Sequence, residues 1–270
     1  MMAFDTFDEG ISLGGMRSKT EIRTLICYLY KSVGQPMTKD AVVNALMEKG
    51  LANYFETSSS FDDLVRNGNI RQTDEEKQLY YHACDMAKKQ PWADPETGKS
   101  PNFWLRSMGW YLMALIDCID KMDEQLYEHY RALIDLFREA VSGITPYADP
   151  ATGLYYQVID RADVAGNYLE TSGSAMVIYA LLKGVRLGVL DGEKYQASAL
   201  KAFESLTAQK LFRDEKGLYH LNGICAVAGL GPGEKRDGSV AYYLSEPVVA
   251  DDAKGVGPYM MALSEYLRAK

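Results

Sequence analysis

Few side chains in this 270-residue sequence can do chemistry alone, and most of those are scattered. The three histidines are widely separated, and Cys27, Cys84, Cys118 and Cys225 form no CxxC pair. Metal sites built by a chain need closely spaced ligands, so neither a bound metal nor another cofactor is expected. The cysteines read as small core residues of a reducing compartment. The densest functional cluster is Trp104-Leu105-Arg106 with Trp110 one turn further on. A guanidinium offers a rigid fork of N–H donors that matches a carboxylate, and an indole face can stack on a ring. The alternatives are an ion-paired surface arginine and tryptophans that only fill a core. Trp104 and Trp110 are six apart and do not share a helical face. Glu170 is either an active carboxylate or a cap that braces Thr171-Ser172. Asp94 and Asp149 recur in turns, where Asx hydrogen bonding is the ordinary account.

The elements that must position these groups are mostly helical. Ala93-Asp94-Pro95-Glu96-Thr97-Gly98 recurs as Ala148-Asp149-Pro150-Ala151-Thr152-Gly153, and more loosely as Arg213-Asp214-Glu215-Lys216-Gly217. Each turn precedes a helix of one flavour: Gly109–Leu115, Gly173–Leu181 and Gly257–Leu263. Amphipathic helices around 126–141 and 195–206 lie between them. A turn, an inner helix and an outer helix thus repeat about every 50–65 residues, the mark of a repeat architecture. Gly and Ala faces let inner helices crowd around an axis and leave the turns on one rim. A closed toroid and an open solenoid share this pattern.

Before residue 72 the texture differs. Helices are expected from Ser18, with Thr20 as cap and Ile22, Leu25, Ile26, Tyr28 and Leu29 as the stripe. A second opens at Thr38 with Val42, Val43, Leu46 and Met47, and a third runs through Phe61 and Leu64. A hairpin then follows. The net charge of −8 argues against a broad nucleic-acid surface. Mean hydropathy is −0.22, with no apolar run long enough to span a membrane. The opening Met-Met-Ala-Phe-Asp-Thr lacks a basic or apolar leader, so a cytoplasmic location is expected.

From Pro91 to Tyr111 the sequence resembles glycoside hydrolase family 105, the unsaturated rhamnogalacturonyl hydrolases, which are related to family 88. The carrying stretch is Pro91-Trp92-Ala93-Asp94-Pro95 through Asn102-Phe103-Trp104-Leu105-Arg106-Ser107-Met108-Gly109-Trp110-Tyr111. Further blocks agree in order: Asn167–Met176, Leu221–Gly231, Tyr242–Pro247 and Asp252–Pro258. The resemblance runs from about residue 75 to the end and implies the (α/α)6 toroid of six-hairpin glycosidases. It implies an unsaturated uronic-acid oligosaccharide from pectin as substrate, and hydration of its double bond as the reaction. By the same resemblance His82 bonds the uronate or steers water. Arg106 pairs with the uronate carboxylate, Trp104 and Trp110 stack on sugar, and Lys254 is a cationic contact.

The family's general acid, an aspartate in an Asp-x-Leu-Tyr-Met-like loop, has no counterpart near Pro36, where the pattern would place it. Asp62-Asp63-Leu64-Val65 stands too close to His82 and lacks the aromatic. Instead Gly14–Ile22, Leu51–Glu56 and Arg66–Ile70 resemble the start of a bacterial winged-helix-like family of unknown function. The expected division is therefore residues 1–72, a small helical winged-helix-like segment, and 73–270, a partial six-hairpin domain. An incomplete toroid exposes apolar faces, so self-association is expected. Turnover is expected to be weak without the acid. The alternatives are a sugar- or DNA-binding regulatory module and an inactive chimeric fragment.

Overall fold

The computed structural model describes residues 18–33, 37–66, 77–122, 127–232 and 234–270. Its contacts divide the chain into two units, Met1–Glu75 and Glu76–Lys270.

The first unit carries α1 (Lys19–Val33), α2 (Lys39–Glu48) and α3 (Tyr54–Arg66). Ser18 Oγ accepts from the Glu21 amide while Glu21 Oε2 accepts from the Ser18 amide, each at 3.2 Å. This reciprocal capping box puts the start of α1 at Ser18 rather than at the expected Thr20. Thr38 caps α2 by accepting from the Ala41 amide, and Asn53 caps α3 through the Glu56 amide. Ile22, Ile26, Val42, Leu46, Ala52, Phe61 and Leu64 form this unit's own core. Tyr28, expected in the stripe, is 63% exposed. It follows Ile26 by two residues, about 200° around the helix, and so faces away. The expected hairpin and residues 67–76 of the junction lie outside the described residues.

The second unit carries α4 (Leu105–Lys121), α5 (Tyr127–Ile144), α6 (Thr171–Arg186), α7 (Gly192–Lys210), α8 (Val240–Ser245) and α9 (Ala253–Ala269). Two antiparallel pairs accompany them: β1 (Leu211–Arg213) with β2 (Tyr219–Leu221), and β3 (Ile224–Cys225) with β4 (Val248–Val249). From Thr171 to Gly184 α6 is buried on every side. It packs on α4, α7 and α9, while α5 lies against α4. A helix apolar all round must be enclosed. Thus α4, α6 and α9 are the inner row, and α5 and α7 form the outer one, as the repeat predicts.

Glycine permits the close approach of the inner helices. A Cβ on Gly109 of α4 would stand 2.7 Å from Met176 Sδ of α6, and one on Gly173 would stand 2.4 Å from Leu105 Cγ. The repeated turns share one geometry. Asp94 Oδ1 accepts from the Glu96 and Thr97 amides, Asp149 Oδ2 accepts from the Thr152 amide, and Gly98 and Gly153 both have φ +75°. Those aspartates are turn-formers, and the left-handed residue after them requires glycine.

The inner helices run parallel. Near their C-termini Lys183 Nζ lies 2.7 Å from Asp117 and 3.0 Å from Asp120, and Arg186 forks onto Glu265 at 2.6 and 2.9 Å. Their N-termini gather at the other end, where Leu105, Gly173 and the β3 residues Ile224 and Cys225 meet. That end holds the candidate site.

Candidate functional site

Trp104 is the N-cap of α4, tied to Val158 by an isolated bridge and 7% exposed. Its Nε1 donates to Gln157 Oε1 at 3.3 Å. The residue before a helix has extended backbone, so Trp104 turns inward just as α4 begins. Arg106 follows in the first turn, with its guanidinium carbon 4.9 Å from the Trp104 ring centre.

Arg106 is only 1% exposed. Nη1 donates to the Cys225 carbonyl and to Ser172 Oγ at 3.2 Å, and Nη2 reaches the Ala226 carbonyl at 3.4 Å. Behind it lies Glu170, fully buried and the N-cap of α6. Its carboxylate accepts from the Gly173 amide at 2.6 Å, from Ser172 Oγ at 2.6 Å and from the Cys225 amide at 3.0 Å. Glu170 therefore caps and braces. A buried arginine and a buried carboxylate share Ser172 and the β3 backbone, so each charge is hydrogen-bonded rather than orphaned.

His82 comes from an irregular stretch between isolated bridges at Tyr80 and Cys84, not from a helix surface. Its ring lies 4.6 Å from Trp104 and 5.9 Å from Tyr243. Nδ1 stands 2.7 Å from the Tyr243 hydroxyl. Trp104 and Tyr243 stack at 6.2 Å with an interplanar angle of 18°. Burial lowers the His82 imidazole from 6.5 to about 4, so it is neutral near pH 7. Burial also raises the Tyr243 phenol well above its usual range.

The structure thus brings His82, Trp104 and Arg106 together through ring and cation–π contacts, in which neither of the other two sequence candidates takes part among the described residues. Trp110 is 46% exposed on α4 and, among the described residues, shares no ring contact with the His82–Trp104–Tyr243 group. It follows Arg106 by one turn on the same side of α4, but it is Arg106, in the first turn, that is bonded to the 225–226 backbone. Lys254 Nζ pairs with Asp252 at 2.8 Å, and Asp252 also caps α9. The charge of Lys254 is therefore largely offset. The Asp252 carboxyl is held below its usual value by Lys254 first, with Arg106 a smaller contributor.

Sequence reasoning assigned no role to Tyr243, Gln157 or Ser172. Tyr243 lies in a block that carried the family resemblance, so its neighbourhood was marked though its function was not. Gln157 gave no local signal, because it is set by contacts with Trp104 and Cys225 far along the chain. Among the described residues no cluster of His, Cys, Asp and Glu could hold a metal ion.

Parallel inner helices with Gly-mediated contacts, outer helices behind them, and an Arg–Trp–His group at the N-terminal rim are the arrangement that the six-hairpin glycosidase resemblance implies. The Glycosyl Hydrolase Family 88 model matches residues 32–270, and the chain belongs to that family. Protein Atu3128 of Agrobacterium fabrum is 46% identical over 199 residues, which are 70% of this chain and 82% of that protein. The unsaturated 3S-rhamnoglycuronyl hydrolase of Formosa agariphila is 30% identical over 203 residues, 72% of this chain but 47% of that enzyme. Among solved structures, a family 105 glycoside hydrolase of C. acetobutylicum superposes with a TM-score of 0.70 at 34% identity. The match covers 91% of this chain and 78% of that one. The family match includes α2 and α3 and thus crosses residue 72, the division expected from sequence.

Proposed function

We propose that this chain recognises saccharides ending in a 4,5-unsaturated uronic acid, of the kind lyases release from pectin and rhamnogalacturonan, and hydrolyses them weakly. The convergence of His82, Trp104 and Arg106 at one rim carries this reading. The reaction is hydration: a proton adds to C4, water oxygen adds to C5, and the hemiketal opens and releases the partner sugar. An acid must be protonated near neutral pH for that first step. His82 is neutral there, Asp252 is held ionised by Lys254, and Glu170 is occupied by three protein donors. Among the described residues no carboxylate is hydrogen-bonded to His82. These facts support recognition without efficient protonation.

In this reading Trp104 forms the back wall of the sugar site, and Arg106 holds the 225–226 backbone while adding positive potential for the uronate. Lys254 acts at the margin, and Trp110 reaches an outer part of a longer saccharide. The enzyme acts in the cytoplasm in this reading. Titration calorimetry and absorbance of the conjugated double bond, with an unsaturated galacturonyl-rhamnose disaccharide, test the proposal. Binding with slow loss of absorbance, both removed in Arg106→Ala, is expected. Fast turnover would overturn the claim of weak protonation, and absence of both signals would overturn the substrate class.

A further inference from the structure

Tyr243 stands at the site without a role in the reading above. It lies on α8, far from His82 in sequence, and is fully buried. Its position is fixed on several sides. Its amide donates to the Ser239 carbonyl at 3.1 Å, its carbonyl accepts from Gln157 Nε2 at 3.4 Å, and its ring stacks on Trp104. The hydroxyl is thereby aimed at His82 Nδ1, 2.7 Å away.

A neutral imidazole carries one N–H, and its other nitrogen accepts. Two arrangements are open to the pair. If Nδ1–H donates to the phenol oxygen, the buried phenol proton has no acceptor among the described residues. If the phenol donates to Nδ1, the fully buried hydroxyl is satisfied and the imidazole proton must sit on Nε2, on a half-buried ring where that nitrogen is not among the buried atoms lacking a partner. A buried donor left unmade costs about 1–3 kcal/mol, which favours the second arrangement. The phenol is also a better donor, and the imidazole nitrogen a better acceptor, than their reversed roles allow.

The other charges nearby do not alter that choice. Arg106, on α4, lies across the Trp104 ring and is bonded to the β3 backbone. Asp237, before α8, bonds the Ser239 amide, and Asp252, before α9, bonds Lys254. Cys225 on β3 keeps its thiol protonated because burial raises it.

We propose that Tyr243 is a positioning residue that locks His82 in its Nε2–H tautomer, so that the ring presents a neutral donor to a uronate or hydroxyl oxygen of the saccharide. The ligand half rests on the function proposed above; the tautomer half does not. In this form Nε2 already carries its proton and cannot act as a base, and the N–H of a neutral imidazole is far too weak an acid to protonate C4. It orients the sugar rather than driving protonation.

Nitrogen-15 histidine labelling with long-range proton–nitrogen correlation reads the tautomer directly, and loss of signals in His82→Asn assigns them. The wild-type protein should show Nε2 protonated and Nδ1 bare at pH 7. An Nδ1–H pattern would overturn the lock, and this reading needs no variant of Tyr243. Tyr243→Phe keeps the ring and removes only the hydroxyl. With helicity by circular dichroism unchanged, its His82 signals should move to a mixture of both tautomers; an unchanged pattern would overturn the lock. Calorimetry with the unsaturated disaccharide should then show about tenfold weaker binding in Tyr243→Phe. Equal affinity alongside a changed tautomer would overturn the ligand half. Binding by neither protein would overturn the substrate class and that half with it, leaving the tautomer decided by the spectrum alone.

Discussion

At the residue scale, burial sets the chemistry of this site. His82 titrates near 4 when folded and near 6.5 when unfolded. Between those values the unfolded chain binds more protons, so stability falls as pH drops from about 6.5 to 4. The loss is on the order of 2 kcal/mol after allowance for partial exposure. Thermal melts across that window should show the decline in the wild-type protein and a shallower one in His82→Asn. His220 behaves oppositely. Bonds to Asp251 at 2.6 Å and to Asp214 raise it, so its contribution is present below 6.5 and fades as pH rises through its folded value. Arg106 was legible as a chemically special residue, but its burial was not. The guanidinium reaches three acceptors from two nitrogens, whereas a lysine has a single nitrogen and no planar fork. Arg106→Lys should therefore lower stability by ~1–3 kcal/mol in urea unfolding.

Helix against helix, the smallest residues decide. The sequence shows Gly109 and Gly173 at matching places in two repeats, and the structure shows what they touch. Gly109→Ala would drive a methyl into Met176 and should cost ~1–3 kcal/mol. Gly192→Ala, at the start of α7, would meet only ordinary contacts near 3.5 Å. It should be neutral or gain a few tenths of a kcal/mol, about the helix preference of alanine at a frayed first turn. Chemical denaturation of the two variants separates packing from propensity. The opposite end of the inner row offers a second check. Lys183 is buried between Asp117, Asp120 and Tyr179, and those bonds outweigh burial and hold its ammonium charged. Lys183→Met should leave like-charged carboxylates facing each other and lower the melting temperature, more at pH 7 than at pH 4.

For the whole molecule, the hydrophobic clusters of the described residues divide between the two units, one in the first and two in the second, which implies two folding units. Ile22, Val42 and Phe61 share one cluster, while Leu112, Ile178 and Phe203 share another. A fragment of residues 76–270 should keep a cooperative thermal transition and its helical signal; a featureless melt would show that its core depends on the rest of the chain. The sequence alone determined the helical class, the repeated Asp-Pro-x-Thr-Gly turns, the inner and outer helices and the Arg106–Trp104 pair. All of these depend on periodicity or on neighbours a few residues apart, which local sterics and hydrogen bonding dictate. It did not determine that Arg106 is sealed behind the 225–226 backbone, that Trp110 faces outward, or that Tyr243 meets His82 across 161 positions. Those facts follow from how α4, α6 and α8 converge, and convergence depends on packing between distant segments, which no local pattern records.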